Sequence, residues 1–282
     1  MNSFIKPTIG CKKKNLYKYL TYRKRPKNEI DFGIKNNEYL RYYFKCKVCG
    51  HLIAKHKKHF LEKLYDDRYF TKTYKSEFKL DEIFNKISNL PKINSDNYHR
   101  IKRIKKYVNS LLRLKKIDLI DIGSGTGIFP ISMIGKKYNV TALDPDKTSI
   151  NYIKKKSKSK VKTIHGDFLK IKVNKLKKFN LVTFNKVLEH VEDPIFFLKK
   201  SIKLLKKQNL IYVEVPSVSA MNDKQGKERE ELHLTHHHVF SKQSLENIFQ
   251  FSKIKLISIK QIREPSGKYT LYALGTKNNN YY

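Results

Sequence analysis

The chain has a regular pattern of apolar and polar positions from Asp96 onward and a much weaker one before it. Five apolar residues at the start of this part recur at the spacing of an amphipathic helix: Ile101, Ile104, Val108, Leu111 and Leu112. Short apolar runs then alternate with helical stretches. The runs predict strands at 117–122, 139–143, 161–164, 179–184, 210–215, 254–259 and 269–274. Such alternation predicts an α/β fold with a mostly parallel sheet and helices on both of its faces.

Residues 1–95 have a different character from the rest. They are rich in Tyr, Lys and Asn, and a helix at 76–87 is the clearest element that they predict. We therefore predict an N-terminal appendage at 1–95, which could act as a substrate lid, and a main domain at 96–282. The last two strands of that domain flank the turn-forming Pro265-Ser266-Gly267, so they are expected to pair as an antiparallel hairpin at the edge of the sheet.

Composition excludes several classes of protein. No run of about 18 apolar residues occurs, so no membrane-spanning helix is predicted. The first 14 residues lack the apolar segment of a secretory signal. Three Cys among 282 residues do not make a disulfide scaffold and fit a reducing compartment. These features predict a cytoplasmic protein.

The net charge of +36, from 61 Lys and Arg against 25 Asp and Glu, has two interpretations. A strongly basic protein can bind nucleic acid or an anionic membrane surface. The excess is mostly Lys and is spread along the chain, however, as expected when an AT-rich genome supplies Lys codons wherever selection is loose. We favour the second interpretation and keep nucleic acid as an alternative partner.

The first strand of the main domain ends in a glycine-rich turn, Asp121-Ile122-Gly123-Ser124-Gly125-Thr126-Gly127. Glycines at alternate positions let the backbone turn sharply and approach a ligand closely, and a helix follows directly. The second strand ends in Asp144, 21 residues after Gly123. A carboxylate at that position accepts hydrogen bonds from both hydroxyls of a ribose, so the pattern predicts a nucleoside site.

The remaining polar positions favour one kind of nucleoside. Asp121 stands two residues before the first glycine, where it would repel a pyrophosphate but attract the ammonium group of an amino acid. Asp167 ends the third strand and can accept a hydrogen bond from an exocyclic amine, and Phe168 can pack on a purine. The predicted ligand has an amino acid end, a ribose and an adenine, as S-adenosylmethionine has. An NAD-dependent oxidoreductase is disfavoured, because the chain lacks Gly-x-Gly-x-x-Gly at this turn.

These motifs and the stretch Asn185-Lys-Val-Leu-Glu-His-Val-Glu-Asp-Pro194 resemble, in order and spacing, those of class I S-adenosylmethionine-dependent methyltransferases. The last stretch is similar to the small-molecule branch, methyltransferase types 11 and 23. The resemblance covers about residues 96–276 and implies a Rossmann-like seven-stranded sheet with an antiparallel last strand. It implies that Asp121 and the glycines hold the methionine part of the cofactor, Asp144 the ribose and Asp167 the adenine. The full set of candidate cofactor-binding residues is Asp121, Gly123, Ser124, Gly125, Gly127, Asp144, Asp167, Phe168 and Asn185.

The N-terminal part has its own, fainter resemblance. Some relatives that modify sugars carry a small zinc ribbon followed by Tyr-x-x-x-Tyr-Phe. Cys46 and Cys49 look like one knuckle of such a ribbon, and residues 65–70 look like the aromatic element. The expected first Cys pair is missing, since only Cys11 remains, and His51, His56 or His59 would have to supplement it. Because zinc needs four ligands, we expect a vestigial turn rather than bound zinc.

Methyl transfer to a hydroxyl needs a group that takes the proton. His190 follows the fourth strand and His237 lies in the loop after the fifth, so these two are the candidate catalytic residues, with Glu189 and Glu214 as weaker candidates. Each histidine also has a purely structural interpretation as a packing residue. The cluster His233, His236, His237 and His238 lacks a clean ligand spacing for a metal.

The motifs predict a methyltransferase that acts on a small hydroxylated acceptor. A sugar, often nucleotide-linked, is the acceptor that we favour, and an anionic acceptor would be attracted by the positive charge. An RNA methyltransferase that uses the basic surface is the main alternative. A non-catalytic protein that only senses S-adenosylmethionine is disfavoured, because the glycine turn is intact. Neither the acceptor atom nor the oligomeric state follows from the sequence.

Overall fold

The computed structural model describes residues 9–35, 38–56 and 76–277. The strands are β1 (Leu16–Tyr22), β2 (Arg41–Cys46), β3 (Leu52–His56), β4 (Ile117–Ile122), β5 (Tyr138–Asp144), β6 (Lys162–His165), β7 (Phe179–Asn185), β8 (Leu205–Pro216), β9 (His238–Val239), β10 (Lys255–Arg263) and β11 (Tyr269–Thr276). The α-helices are α1 (Glu77–Ser88), α2 (Asp96–Leu111), α3 (Ile128–Ser132), α4 (Lys147–Lys156), α5 (Pro194–Ile202) and α6 (Lys242–Phe251). None of the helices in the described ranges is long and apolar enough to cross a bilayer.

Seven strands form one large sheet in the order β10-β11-β8-β7-β4-β5-β6. The strands from β8 to β6 pair in parallel, and β11 pairs antiparallel with both β8 and β10. The predicted α/β fold with a seven-stranded, mostly parallel sheet and an antiparallel last strand is therefore confirmed. Because β11 inserts between β8 and β10, β10 is the outermost strand of the hairpin.

Helices cover both faces of this sheet, and each face has its own apolar core. One core packs α5 and α6 against Ile120 and Ile122 of β4. The other packs α2, α3 and α4 against Ile117 and Leu119 of the same strand. Since successive side chains of a strand point to opposite faces, a strand between two helical layers is buried on both sides, as β4 and β7 are.

The helices begin where the sequence carries capping residues. Asp193 caps α5, with Pro194 at its first position, and its side chain accepts a hydrogen bond from the backbone N–H of Phe196. Ser241 caps α6 and forms a reciprocal capping box with Ser244. The main departure from the predicted strands is β8, which begins at Leu205 rather than at residue 210. Its first residues include polar Lys and Gln side chains, which hide the strand pattern in the sequence.

Residues from both ends of the chain build a second, four-stranded antiparallel sheet in the order β1-β2-β3-β9. Its last strand, β9, belongs to the loop after β8 and pairs with β3 through Leu52–Val239 and Ile53–His238. A third apolar cluster lies against this sheet and contains Tyr43, Leu52 and Leu234. The N-terminal part of the chain is therefore joined to the loop after β8 by shared strand pairing.

Helix α1 adds a further contact across the predicted boundary at 95/96. Leu80 and Phe84 pack against Tyr152 of α4, and the Tyr152 hydroxyl donates a hydrogen bond of 2.8 Å to Asp81. The Tyr65–Phe70 motif and His59 lie outside the described residues. The division into an appendage and a main domain stays a prediction.

Candidate functional site

The candidate site lies at one edge of the large sheet, where four parallel strands end. These strands are neighbours in the order β6-β5-β4-β7, so the residues that follow them meet at the same edge. The connection from β4 runs toward β5 on one side, and β7 lies on its other side. Ligands of open α/β sheets bind at such a switch point, at the carboxyl ends of the strands.

The glycine turn after β4 is built so that side chains would not fit. Gly123 has φ +75°, and a Cβ on it would lie 2.6 Å from Val187 Cγ2. Gly127 also has φ +75°, and a Cβ there would lie 2.4 Å from Ile153 Cγ1. Contacts below 3 Å exclude a larger residue unless the neighbours move. The turn therefore packs its backbone tightly against α4 and the segment after β7.

Asp144 faces this turn from the end of β5. One carboxylate oxygen accepts a hydrogen bond of 2.8 Å from the backbone N–H of Gly125, and the other accepts one of 2.9 Å from that of Asp146. Burial raises the pKa of Asp144 to about 6, against these hydrogen bonds. The carboxylate is thus fixed in orientation and keeps lone pairs for a diol.

Asp121 is 1% exposed and ends β4 at the centre of the site. Its Oδ1 accepts hydrogen bonds of 2.7 Å from the Thr183 hydroxyl and 2.8 Å from Asn185 Nδ2. Burial raises the pKa of Asp121 to about 7 despite these bonds. Asn185 Oδ1 is buried and has no hydrogen-bond partner among the described residues. An unpaired acceptor beside a carboxylate fits the ammonium group of an amino acid.

The two residues predicted to hold the adenine have different surroundings. Asp167 follows β6, with a side chain 40% exposed, and its Oδ1 accepts a hydrogen bond of 2.8 Å from the Leu169 N–H. Phe168 is 3% exposed and packs in the core, with ring centroids 4.9 Å from Phe197 and 6.4 Å from Phe184. A ring enclosed by other rings has no open face for a purine, so the structure departs from that expectation for Phe168.

His190 lies just beyond β7 and joins a group that the sequence did not define. Its Nδ1–H donates a hydrogen bond of 3.0 Å to the Thr235 carbonyl. The His236 ring lies 4.8 Å from it, centroid to centroid, and donates from Nδ1 to the Glu231 carbonyl at 2.9 Å. Potential ligand atoms of Glu189, His190 and His236 all lie within 4.8 Å of one another. We call these three residues the Glu-His-His group.

The group contains His236 where the sequence favoured His237. The backbone of His237 is held from both sides, since its N–H donates to the Glu189 carbonyl at 2.7 Å and its carbonyl accepts from the Ala54 N–H at 2.8 Å. The His237 ring is buried beside His56, with centroids 6.0 Å apart. Adjacent residues on the extended chain point apart, and spacing alone does not tell which of the two faces the site.

Burial also sets the charge state of these groups. It lowers the pKa of both His190 and His237 to about 4, so both rings are neutral at pH 7. It raises the pKa of Glu189 to about 7, against the attraction of the Lys186 ammonium. Glu214, a weaker candidate for catalysis, is instead bound by Arg100 and Arg103, each at 2.7 Å. Those ion pairs give Glu214 a structural role.

The three cysteines meet in the N-terminal part, although Cys11 is far from the other two in sequence. Cys11, Cys46 and Cys49 are buried, their sulfur atoms lie within 4.8 Å of one another, and Cys11 Sγ is 3.2 Å from Cys49 Sγ. His51 is directed elsewhere, with its ring nitrogens 3.0 Å from Ser244 Oγ and 3.0 Å from His238 Nδ1. The cluster is compatible with a ribbon-like knuckle, and a vestigial turn without bound zinc stays the prediction.

Comparisons with known proteins agree with this geometry. The profile of a methyltransferase domain family matches residues 97–255. A ubiquinone biosynthesis O-methyltransferase of Pelagibacter ubique (strain HTCC1062) is 37% identical over 105 residues, which are 36% of this chain and 42% of that protein. The match thus spans less than half the length of that relative.

Solved structures share the fold at low sequence identity. The magnesium protoporphyrin IX methyltransferase of Synechocystis PCC 6803, with bound S-adenosylhomocysteine, superposes with a TM-score of 0.58 at 12% identity, over 75% of this chain and 98% of that one. A SAM-dependent methyltransferase of Aquifex aeolicus gives 0.51 at 17% identity, over 71% and 97%. Since the family profile covers more than half of the chain and the sheet is the one that these enzymes share, the chain belongs to the class I S-adenosylmethionine-dependent methyltransferases.

Proposed function

We propose that this methyltransferase transfers the methyl group of S-adenosylmethionine to a hydroxyl oxygen of a small acceptor. The observation that carries the proposal is the Glu-His-His group. Two of its members, Glu189 and His190, follow β7 at the sheet edge where β4 and β5 also end. Carboxylates and imidazoles are the side chains that serve hydroxyl groups as proton acceptors. The partial relative in Pelagibacter ubique is named as an O-methyltransferase, which supports oxygen as the acceptor atom.

In this proposal each residue at the sheet edge binds a different part of the cofactor. Asp121 and Asn185 Oδ1 receive the ammonium of the methionine part, and the glycine turn lies against that part. Asp144 accepts hydrogen bonds from the two ribose hydroxyls, and Asp167 accepts one from the adenine amine. The bound cofactor supplies an electrophilic methyl carbon on a sulfonium. Ser124 Oγ donates to the Asp121 carbonyl at 2.9 Å, so it shapes the turn that carries these contacts.

The acceptor is held beside the Glu-His-His group. Because His190 and His236 both donate from Nδ1 to carbonyls, their Nε2 atoms carry lone pairs. The acceptor oxygen attacks the methyl carbon in line with the sulfur, the new C–O bond forms as the C–S bond breaks, and the hydroxyl proton leaves through this group. Alignment supplies most of the rate, since the protein converts an encounter of two molecules into a reaction at fixed geometry.

Two acceptor classes remain in the proposal. The resemblance of the N-terminal part to relatives that modify sugars favours a sugar, including nucleotide-linked sugars, and the name of the partial relative favours a precursor of ubiquinone. Tritium from methyl-labelled S-adenosylmethionine, followed into a fractionated cell extract, separates them. Label in a small, polar, nuclease-resistant fraction supports the sugar, and label in a lipid fraction supports the ubiquinone precursor. Label in a nuclease-sensitive polymer contradicts both and revives RNA as the substrate.

Asp144→Asn is expected to weaken the binding of S-adenosylhomocysteine by about 10- to 150-fold, because a hydrogen bond to a charged group contributes about 1.5–3 kcal/mol. Isothermal titration calorimetry measures the loss. Asp118→Asn is the matched control, because it also removes a carboxylate from β4. Asp118 lies near the start of the strand, away from its carboxyl end, and pairs with Lys177 and Lys206. Its replacement should leave the affinity for S-adenosylhomocysteine unchanged. Equal affinities for the two variants would contradict the ribose assignment.

A further inference from the structure

The Glu-His-His group combines the side chains of a transition-metal site. Two imidazoles and one carboxylate are the ligands that Zn²⁺, Mn²⁺, Fe²⁺ and Co²⁺ take in proteins. We propose that Glu189, His190 and His236 bind one divalent transition-metal cation and that the acceptor hydroxyl coordinates it. The second half of this inference rests on the proposed function, and the first half does not.

The outer contacts of the two histidines are those of metal ligands. His190 donates from Nδ1 to the Thr235 carbonyl at 3.0 Å, and His236 donates from Nδ1 to the Glu231 carbonyl at 2.9 Å. A histidine that binds a metal through one nitrogen almost always donates its other N–H to a carbonyl or a carboxylate, which fixes the ring and its tautomer. Both rings are therefore held in the tautomer that has its lone pair on Nε2.

Glu189 supplies an independent observation. Its side chain is 1% exposed, and its Oε2 atom is buried with no hydrogen-bond partner among the described residues. The neighbouring ammonium of Lys186 donates to the Thr270 hydroxyl, and among the described residues it forms no hydrogen bond to this oxygen. An unpaired buried carboxylate oxygen is costly, and a bound cation would remove that cost.

The size of the group also fits a cation. Ligand atoms about 2.1 Å from one ion lie at most about 4.2 Å apart, so the group, with its 4.8 Å limit, needs only a small side-chain movement to close. His190 and His236 are half-buried, and Glu189 is buried. Three protein ligands are the number that catalytic metals take, since they keep a further position for water or substrate.

The cation would give the proposed reaction its activated oxygen. With the Nε2 lone pairs on the cation, the group would not accept the proton itself; the cation would instead make the coordinated hydroxyl more acidic. The proton would then pass to solvent as the new C–O bond forms and the C–S bond of S-adenosylmethionine breaks. This assignment also explains why both neutral histidines and a buried carboxylate meet at one point.

Titration of metal-free protein with Co²⁺ tests the binding. We expect one ion per chain with the weak visible bands of nitrogen and oxygen ligands, and without the intense near-ultraviolet band that thiolates of the cysteine cluster would add. His236→Ala should weaken this binding at least about 100-fold, and Glu189→Gln, which keeps the volume of the side chain, at least about tenfold.

His233→Ala is the matched control, since His233 lies on the same loop, 6.0 Å from His236 between ring centroids, and outside the group. It should keep the affinity for Co²⁺. The inference is overturned if no ion binds outside the thiol cluster, or if the His236 and His233 variants bind equally. Thermal unfolding of each variant shows whether the protein is folded during the titration.

Activity assays separate this inference from the proposed function. If Co²⁺ binds at the group but no hydroxyl compound is methylated, the metal site stands and the proposed function fails. If hydroxyl methylation continues at full rate after chelation, with no ion bound, the proposed function stands and the metal inference fails. If chelation abolishes methylation and added metal restores it in wild type but not in His236→Ala, both stand.

Discussion

Arg41→Met is expected to lower the free energy of unfolding by about 3–5 kcal/mol, because it leaves the Glu29 carboxylate buried without its cation. Arg41 is fully buried, and Glu29 is 5% exposed. The guanidinium lies 3.0 Å from Glu29 Oε2 and 4.2 Å from the centre of the Tyr22 ring. Methionine replaces most of the volume but neither the charge nor the contact with the aromatic face. Urea unfolding measures the loss as a shift of the midpoint concentration, while the dependence of the unfolding free energy on urea concentration stays unchanged.

The double variant Arg41→Met with Glu29→Gln serves as the internal control. Removing both charges relieves the unpaired carboxylate, so the double variant should be more stable than Arg41→Met alone. Lys79→Ala is the exposed comparison, since Lys79 and Glu82 lie 2.8 Å apart with side chains 52% and 46% exposed. It should cost less than about 1 kcal/mol. An equal cost for Lys79→Ala and Arg41→Met would contradict the argument.

This buried pair matters for the site because it anchors the loop that carries the histidines. Glu29 Oε2 also accepts a hydrogen bond of 2.8 Å from the Leu234 N–H, two residues before His236. The Tyr43 hydroxyl donates to the His233 carbonyl at 3.3 Å in the same loop. Residues of the N-terminal part of the chain therefore hold the loop in place. We expect Arg41→Met to weaken Co²⁺ binding at the Glu-His-His group as well as the fold.

The cofactor edge was predictable because its signals are local. A strand, a glycine turn and a helix follow one another between residues 117 and 132, and Asp144 ends the next strand. Parallel pairing then brings Asp121 and Asp144 to one edge whatever the rest of the chain does. Phe168 was misread for the same reason. A phenylalanine after a strand looks alike in sequence whether its ring faces a ligand or the core formed by Phe184 and Phe197.

The other features of the fold and of the site depend on contacts between distant parts of the chain, which a local pattern does not show. Strand β3 pairs with β9 across more than 180 residues, and β1 to β3 show no clear alternation, so neither the second sheet nor its partner strand follows from the local pattern. Cys11 joins Cys46 and Cys49 only through that sheet. His236 meets His190 because the loop after β8 folds back over β7. The position of β11 between β8 and β10 likewise depends on tertiary contacts.

Asp121→Asn is expected to weaken S-adenosylhomocysteine binding at pH 8 by about 10- to 150-fold, because the ligand's ammonium loses its charged partner. It should also remove a pH dependence. The pKa of Asp121 is raised by burial to about 7, so in wild type the carboxyl must lose its proton before it can pair with the ammonium. Wild-type affinity should therefore fall by up to about tenfold per pH unit below pH 7, whereas the affinity of the variant should stay nearly constant from pH 8 to 6.

The stability of the ligand-free protein gives a second, independent measurement. Its dependence on pH has the opposite sign to that of the ligand affinity. An aspartate has a pKa of about 3.9 in the unfolded chain, so between about pH 4 and 7 folded Asp121 holds a proton that the unfolded chain has lost. The unfolded state then binds fewer protons, and the contribution of Asp121 to stability falls as the pH rises through this range, by about 1.4 kcal/mol per pH unit. The buried histidines, with lowered pKa, have the opposite slope below their usual value.

The difference in stability between wild type and Asp121→Asn isolates the aspartate, because every other group is common to both. We expect the stability of the variant relative to wild type to rise steadily from pH 4 to 7 and to stay constant above pH 7. Asp118→Asn is the control on the same strand: although burial opposes it, hydrogen bonds from Lys177 and Lys206 hold the pKa of Asp118 at about 2, so its difference curve should be flat over this range. A flat curve for Asp121→Asn, with pH-independent wild-type affinity, would show that Asp121 is already ionised without the cofactor. It would then attract the ammonium at every pH tested.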